Sequence, residues 1–204
     1  MQQAVQVEPF DADFNGVAYR VEPAFDYELH GMVVSYRHHD GDSILRRSWN
    51  DHLNMADVCV VWQDNAFGPL LNKLKFWSGQ FTCNVETRDD AAWARFRADQ
   101  LSNNHLISAD PFIRDKISDI NIGDQIRVRG WLSSYSSSGG GKRGTSTVRT
   151  DTGNGACETI FVREFDIIRS VDSGWRKLMY LSLVIFLLAL VVYFRAPYRP
   201  YRHH

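Results

Sequence analysis

The sequence predicts a mainly β domain, an OB-like and partly closed β-barrel of about seven strands with two short helices, followed by one transmembrane helix. Three observations carry this expectation. Apolar residues alternate with polar ones along most of the first 169 residues, the period of a half-buried strand. Helical spacing replaces that period in only two short stretches. Near the end, Leu178 to Phe194 forms an uncharged run of 17 residues, 12 of them Leu, Ile, Val or Phe.

Residues 1–15 are polar, acidic and unpatterned, and read as a flexible arm. The soluble domain spans 16–169. Val17, Tyr19 and Val21 share one face, and Phe25, Tyr27 and Leu29 continue the pattern. The phase then slips to Met32, Val34 and Tyr36, which places a bulge at His30-Gly31. Val58–Trp62 is a short apolar strand, and Phe76–Thr87 reads as another, with Gly79 inside it. Thr87–Ala98 turns helical, with Thr87 or Asp89 as the cap. Asp110-Pro111 opens a second helix, because aspartate caps well and proline suits the first helical position. Gln125–Tyr135 alternates cleanly, putting Ile126, Val128 and Leu132 on one face and Arg127, Arg129, Trp131 and Tyr135 on the other. A Ser/Gly-rich loop, a returning strand at 146–150 and a last strand at 157–168 complete the domain.

Residues 170–177 are a linker, 178–194 the membrane segment and 195–204 a basic tail. A helix of this length extends roughly 25 Å, at the short end of what crosses a bilayer. Trp175, Arg176 and Lys177 before it, and Tyr193, Arg195 and Arg199 after it, suit the headgroup region. Basic residues are nearly balanced across the segment, so they do not orient it. The first 16 residues lack the basic and apolar regions of a secretory leader. That points to a soluble domain on the cytoplasmic side of a bacterial inner membrane.

The net charge of −1 argues against a nucleic-acid partner held by a broad basic field. Cys59, Cys83 and Cys157 make neither a metal-type pair nor an even disulfide set, and a Cys59–Cys83 bridge requires an oxidising compartment. His38-His39-Asp40-Gly41-Asp42 has residues of metal-ligand type, but adjacent strand histidines point apart and Asp-Gly marks a turn. GGGK at 139–142 lacks the glycine and hydroxyl positions of a phosphate loop. No metal and no cofactor is expected.

Three stretches, LSNNHLISAD from Leu101, GDQIRVRG from Gly123 and DTGNGACE from Asp151, together resemble an uncharacterised group of bacterial single-pass membrane proteins. The similarity covers roughly residues 55–168 and implies membrane attachment without implying an activity. Some members carry their anchor at the N-terminus, which implies a domain outside the cytoplasm.

Two functions compete. The first is a membrane-tethered binding or assembly module with a protein partner, using Arg127, Arg129, Trp131, Tyr135, Lys142 and Arg143 as its surface. The second is a hydrolase-type enzyme in which His105 works with Asp151 or Cys157. Asn103, Asn104 and Glu158 are the remaining polar residues of the loop motifs. The enzyme requires His105 within hydrogen-bond reach of those partners in one concave site.

Overall fold

The computed structural model describes residues 3–39, 51–138, 141–148, 157–171 and 174–196. The chain divides into two compact units, Met1–Ser170 and Val171–His204.

In the first unit, β1 (Gln3–Ala4) and β2 (Phe10–Phe14) lie along β3 (Val17–His38). Residues 3–14, expected within a flexible arm, therefore contribute two strands. Asn15 and Gly16, both at positive φ, form the turn between β2 and β3. Asn-Gly is the pair that tight hairpin turns favour. β4 (Asn54–Val61) is buried at every position. β5 (Lys75–Ser78) and β6 (Cys83–Glu86) form a separate hairpin, so the stretch expected as one strand folds back on itself at residues 79–82. Helix α1 (Asp90–Arg95) is capped by the Asp89 carboxylate, which accepts the Ala92 N–H at 2.8 Å.

Next comes β7 (Leu101–Ile107), then helix α2 (Pro111–Ser118), whose Asp110 cap accepts the Phe112 N–H at 2.9 Å. β8 (Gln125–Ser137) and β9 (Lys142–Arg143) form a hairpin, and β10 (Cys157–Arg169) ends the unit. The returning strand thus falls at β9. Residues 146–148 are not strand, and 149–150 lie outside the described residues.

Eight of these strands form one mixed sheet in the order β1–β3–β4–β7–β10–β8–β9, with β2 on β3. Only β7 and β10 run parallel. The long β3 pairs with β8 from Tyr19 to Met32 and with β4 from Met32 to His38. Met32 is the one β3 residue paired with both β8 and β4, so the sheet coils back on itself without becoming a closed barrel. Register shifts in β3 fall between Pro23 and Phe25 and between Val33 and Ser35, not at His30-Gly31. Gly31 serves close approach instead, since a Cβ there would collide with Val60 and the Val61 carbonyl.

The shift at Pro23–Phe25 places its extra residue in β3 and leaves β8 uninterrupted. Tyr135 is nevertheless buried, 3% exposed, in a second apolar cluster with Tyr19, Val21, Leu53 and Ile107. Simple alternation had placed Tyr135 outside. The enclosed core gathers Leu29, Val58, Leu106, Ile117, Ile126, Ile160 and Phe165. Cys59 and Cys83 are disulfide-bonded, with Cα atoms 5.6 Å apart, and pin the β5–β6 hairpin onto the outer face of β4.

In the second unit, α3 (Gly174–Arg195) contains one stretch, Lys177–Arg195, long and apolar enough to cross a membrane. None of it is buried by protein, which suits a helix solvated by lipid. Its single serine, Ser182, donates to the Met179 carbonyl at 2.9 Å, so that side chain brings no unpaired donor into the apolar run.

Candidate active site

The site lies where β4, β7 and β10 run side by side. Asp57, His105 and Thr159 face one another across the three strands, and Cys59, Asn103 and Cys157 form the next such row. Residues directly opposite in a sheet project to the same side. The even-numbered neighbours Val58, Leu106 and Ile160 fill the core, so both polar rows stand on the opposite face.

Asp57 is 2% exposed at its side chain. Its Oδ1 lies 2.5 Å from His105 Nδ1 and accepts from Asn54 Nδ2 at 3.2 Å, while Oδ2 lies 2.9 Å from His39 Nε2. Burial works against the carboxylate charge, but the hydrogen bonds from His105 and His39 outweigh it and hold Asp57 well below the usual carboxylate range. His105 is 13% exposed at its side chain. Burial opposes its charge too, yet hydrogen bonds to Asp57 and Cys157, with the attraction of both, push the ring up to about 9. His105 therefore carries its proton at neutral pH.

Cys157 is the free cysteine among the described residues and is only partly buried. Its sulfur receives the Asn103 Nδ2 donor at 3.5 Å and donates to the Phe81 carbonyl at 3.3 Å. Phe81 sits in the β5–β6 turn at φ 62°. A bulky side chain in the left-handed region costs about 1–2 kcal/mol, and such strain gathers at functional sites. The Phe81 ring stands edge-on to His105, with centroids 6.1 Å apart, while the Arg143 guanidinium lies 4.7 Å from the ring centre.

These groups open on a cavity of about 380 Å³, lined by His105, Cys157, Phe81, Lys142, Arg143 and Thr159. Gly144 and Thr145 wall one side. Thr159 N–H donates to Thr145 Oγ1 at 3.0 Å, Thr159 Oγ1 donates to the Gly144 carbonyl at 2.8 Å, and Ser146 N–H donates to the Cys157 carbonyl at 2.8 Å.

Of the catalytic candidates, His105 and Cys157 come together, and Asp151 lies outside the described residues. The carboxylate at the ring is Asp57, which sequence reading passed over. An aspartate inside the apolar strand Met55–Val61 was the available signal, because a buried charge requires partners. Asn103 and Asn104, expected in a loop, sit mid-strand on β7. Asn103 faces Cys157, whereas Asn104 turns to the core side, donating to the Val58 carbonyl at 3.1 Å and to Ser102 Oγ at 2.8 Å. Glu158, on β10 and also assigned to a loop, is buried.

The expected binding surface divides into separate environments. Arg127 and Arg129 both reach Glu164 at 3.0 Å. Trp131 stacks on Phe161 and meets Phe10 edge-on, with Arg163 over its ring. Buried Tyr135 donates to Asp51 at 2.7 Å. Lys142 binds Glu22 at 2.5 Å, and Arg143 stands 3.6 Å from Asp51. Tyr135, Lys142 and Arg143 also line a second cavity of about 310 Å³. Of the His-Asp-rich stretch at 38–42, His39 belongs to the Asp57 cluster, and 40–42 lie outside the described residues. Among the described residues, no group of three or more His, Cys, Asp or Glu side chains is arranged as a metal site.

No protein-family model and no curated protein sequence matches this chain.

Proposed function

We propose that this chain is a membrane-anchored, hydrolase-type enzyme of a bacterial inner membrane, with Cys157 as nucleophile, His105 as its acid–base partner and Asp57 orienting the ring. One observation carries the reading: His105, hydrogen-bonded to buried Asp57, lines the same cavity as Cys157, which stands one row along on the neighbouring strand. That arrangement supplies an activated nucleophile. Asp57 holds the tautomer by binding Nδ1, so the far side of the ring serves the sulfur. The protonated ring then has a proton to give a leaving group.

The binding-module alternative rests on an aromatic and arginine surface without a convergent polar pocket. Arg127 and Arg129 are engaged by carboxylates of their own sheet, which weakens that alternative. The pairing order β3–β4–β7–β10–β8–β3, with a helix between β7 and β8, supports an OB-like, partly closed barrel. The apolar helix supports a single-pass anchor. The Cys59–Cys83 disulfide supports a domain on the oxidising side of that membrane, opposite to the side suggested by the N-terminal sequence.

The test is turnover by the detergent-solubilised chain on chromogenic acyl, phosphoryl and glycosyl probes, compared with Cys157→Ala. Turnover of one probe class, falling about 10³-fold or more in the variant, is expected. Turnover that survives Cys157→Ala, or none on any class, overturns the reading.

A further inference from the structure

We infer that the substrate is an acyl donor, an ester, thioester or amide carbonyl, and that Asn103 supplies the donor for the oxyanion formed when Cys157 attacks it. This deepens the proposed nucleophile site and rests on it. Asn103 is 4% exposed, its Nδ2 lies 3.5 Å from the Cys157 sulfur, and its Oδ1 has no hydrogen-bond partner. A buried amide with an idle oxygen is a cost to the fold, and an apolar side chain on β7 would avoid it. Its cross-strand position, directly opposite Cys157, fixes the amide beside the sulfur.

The chemistry requires such a donor. Sulfur attack on a carbonyl carbon forms a C–S bond and moves the π pair onto oxygen, which then sits beside the sulfur. An N–H within 3.5 Å of the sulfur is placed to meet that oxygen. Collapse restores the carbonyl and breaks the bond to the leaving group, which takes the proton held by His105. Water then attacks the acyl-cysteine, giving one proton to His105. The acid departs and the sulfur is regenerated. Phosphoryl or glycosyl transfer calls for no single donor at this point, which is why the amide selects the acyl class.

The experiment compares two probes on the full-length solubilised chain. p-Nitrophenyl acetate forms an oxyanion when it reacts, whereas iodoacetamide is displaced at a saturated carbon and forms none. Asn103→Ala is expected to slow acetylation of Cys157 about 10²-fold, while alkylation stays within about twofold of the wild-type rate. Asn103→Ser, which keeps a hydroxyl donor, is expected to recover part of the acetylation rate and provides a second reading if the alanine variant does not fold. Equal loss of both rates, or unchanged acetylation in either variant, overturns the oxyanion role. If the wild-type chain is modified at Cys157 by neither probe, the nucleophile reading itself falls.

Discussion

Replacing Asp57 by asparagine removes the charge that holds His105, and the consequence can be worked out. The ring is raised from 6.5 to about 9. At about 1.4 kcal/mol per pH unit, that is a linkage contribution of about 3 kcal/mol, shared between Asp57 and Cys157. A group raised in the folded state stabilises it fully below its unfolded value, so the contribution is complete below about pH 6.5 and is lost as pH rises through about 9. Asp57 is depressed instead. Its own contribution is present above 3.8 and is lost only as pH falls through its lower folded value, so the neutral-to-alkaline window belongs to His105. Among the described residues His39 and Asn54 also contact Asp57, and Cys157 also acts on His105; a Cys157→Ser background isolates the Asp57 effect. Urea unfolding followed by tryptophan fluorescence is the assay. In the Cys157→Ser background, Asp57→Asn should be less stable than its parent by about 2 kcal/mol below pH 6.5, the larger share of that contribution, with the gap closing towards pH 9. A gap of less than about 1 kcal/mol at the acid end, or parent stability that stays flat across the window, would refute the electrostatic account.

Further outcomes follow from the same structure. Gly130→Ala should lower stability by about 1–3 kcal/mol in urea unfolding, because the new Cβ would collide with the Phe161 carbonyl across the β8–β10 pairing; unchanged stability would contradict that packing. Reducing the Cys59–Cys83 disulfide, which spans a sequence separation of 24, should lower stability by about 3 kcal/mol, read as a drop in the urea midpoint; equal midpoints with and without reductant would argue against the bridge. The full-length chain should remain with membranes after alkaline extraction. A Leu187→Arg substitution, at about 3 kcal/mol near the helix centre, should release a measurable fraction; release of the wild type would remove the anchor.

The frame was legible where local chemistry acts alone. Asp110-Pro111 announced α2, which buries Ile113 and Ile117. The alternation of Gln125–Leu132 announced β8. β7 was not legible, because Ser102, Asn103, Asn104 and His105 are poor strand formers and are held there by β4 and β10 on either side. Tyr135 was expected on an exposed face, but Tyr19, Val21, Leu53 and Ile107 pack over it, and no local pattern displays that cover. The site was half visible. His105 and Cys157 stood out as chemistry, 52 positions apart, but only the pairing of β4, β7 and β10 shows that Asp57 is the third member.

The most direct measurement is the rate at which iodoacetamide alkylates Cys157 near neutral pH, followed by mass spectrometry in the wild-type chain and in His105→Ala and Asp57→Asn. A sulfur served by His105 should react about tenfold or more faster than the same cysteine in the urea-unfolded chain. Both variants should lose that advantage, His105→Ala the more completely. Equal rates in all three chains, or a folded wild type no faster than the unfolded one, would show that Asp57, His105 and Cys157 pack together without forming a working nucleophile.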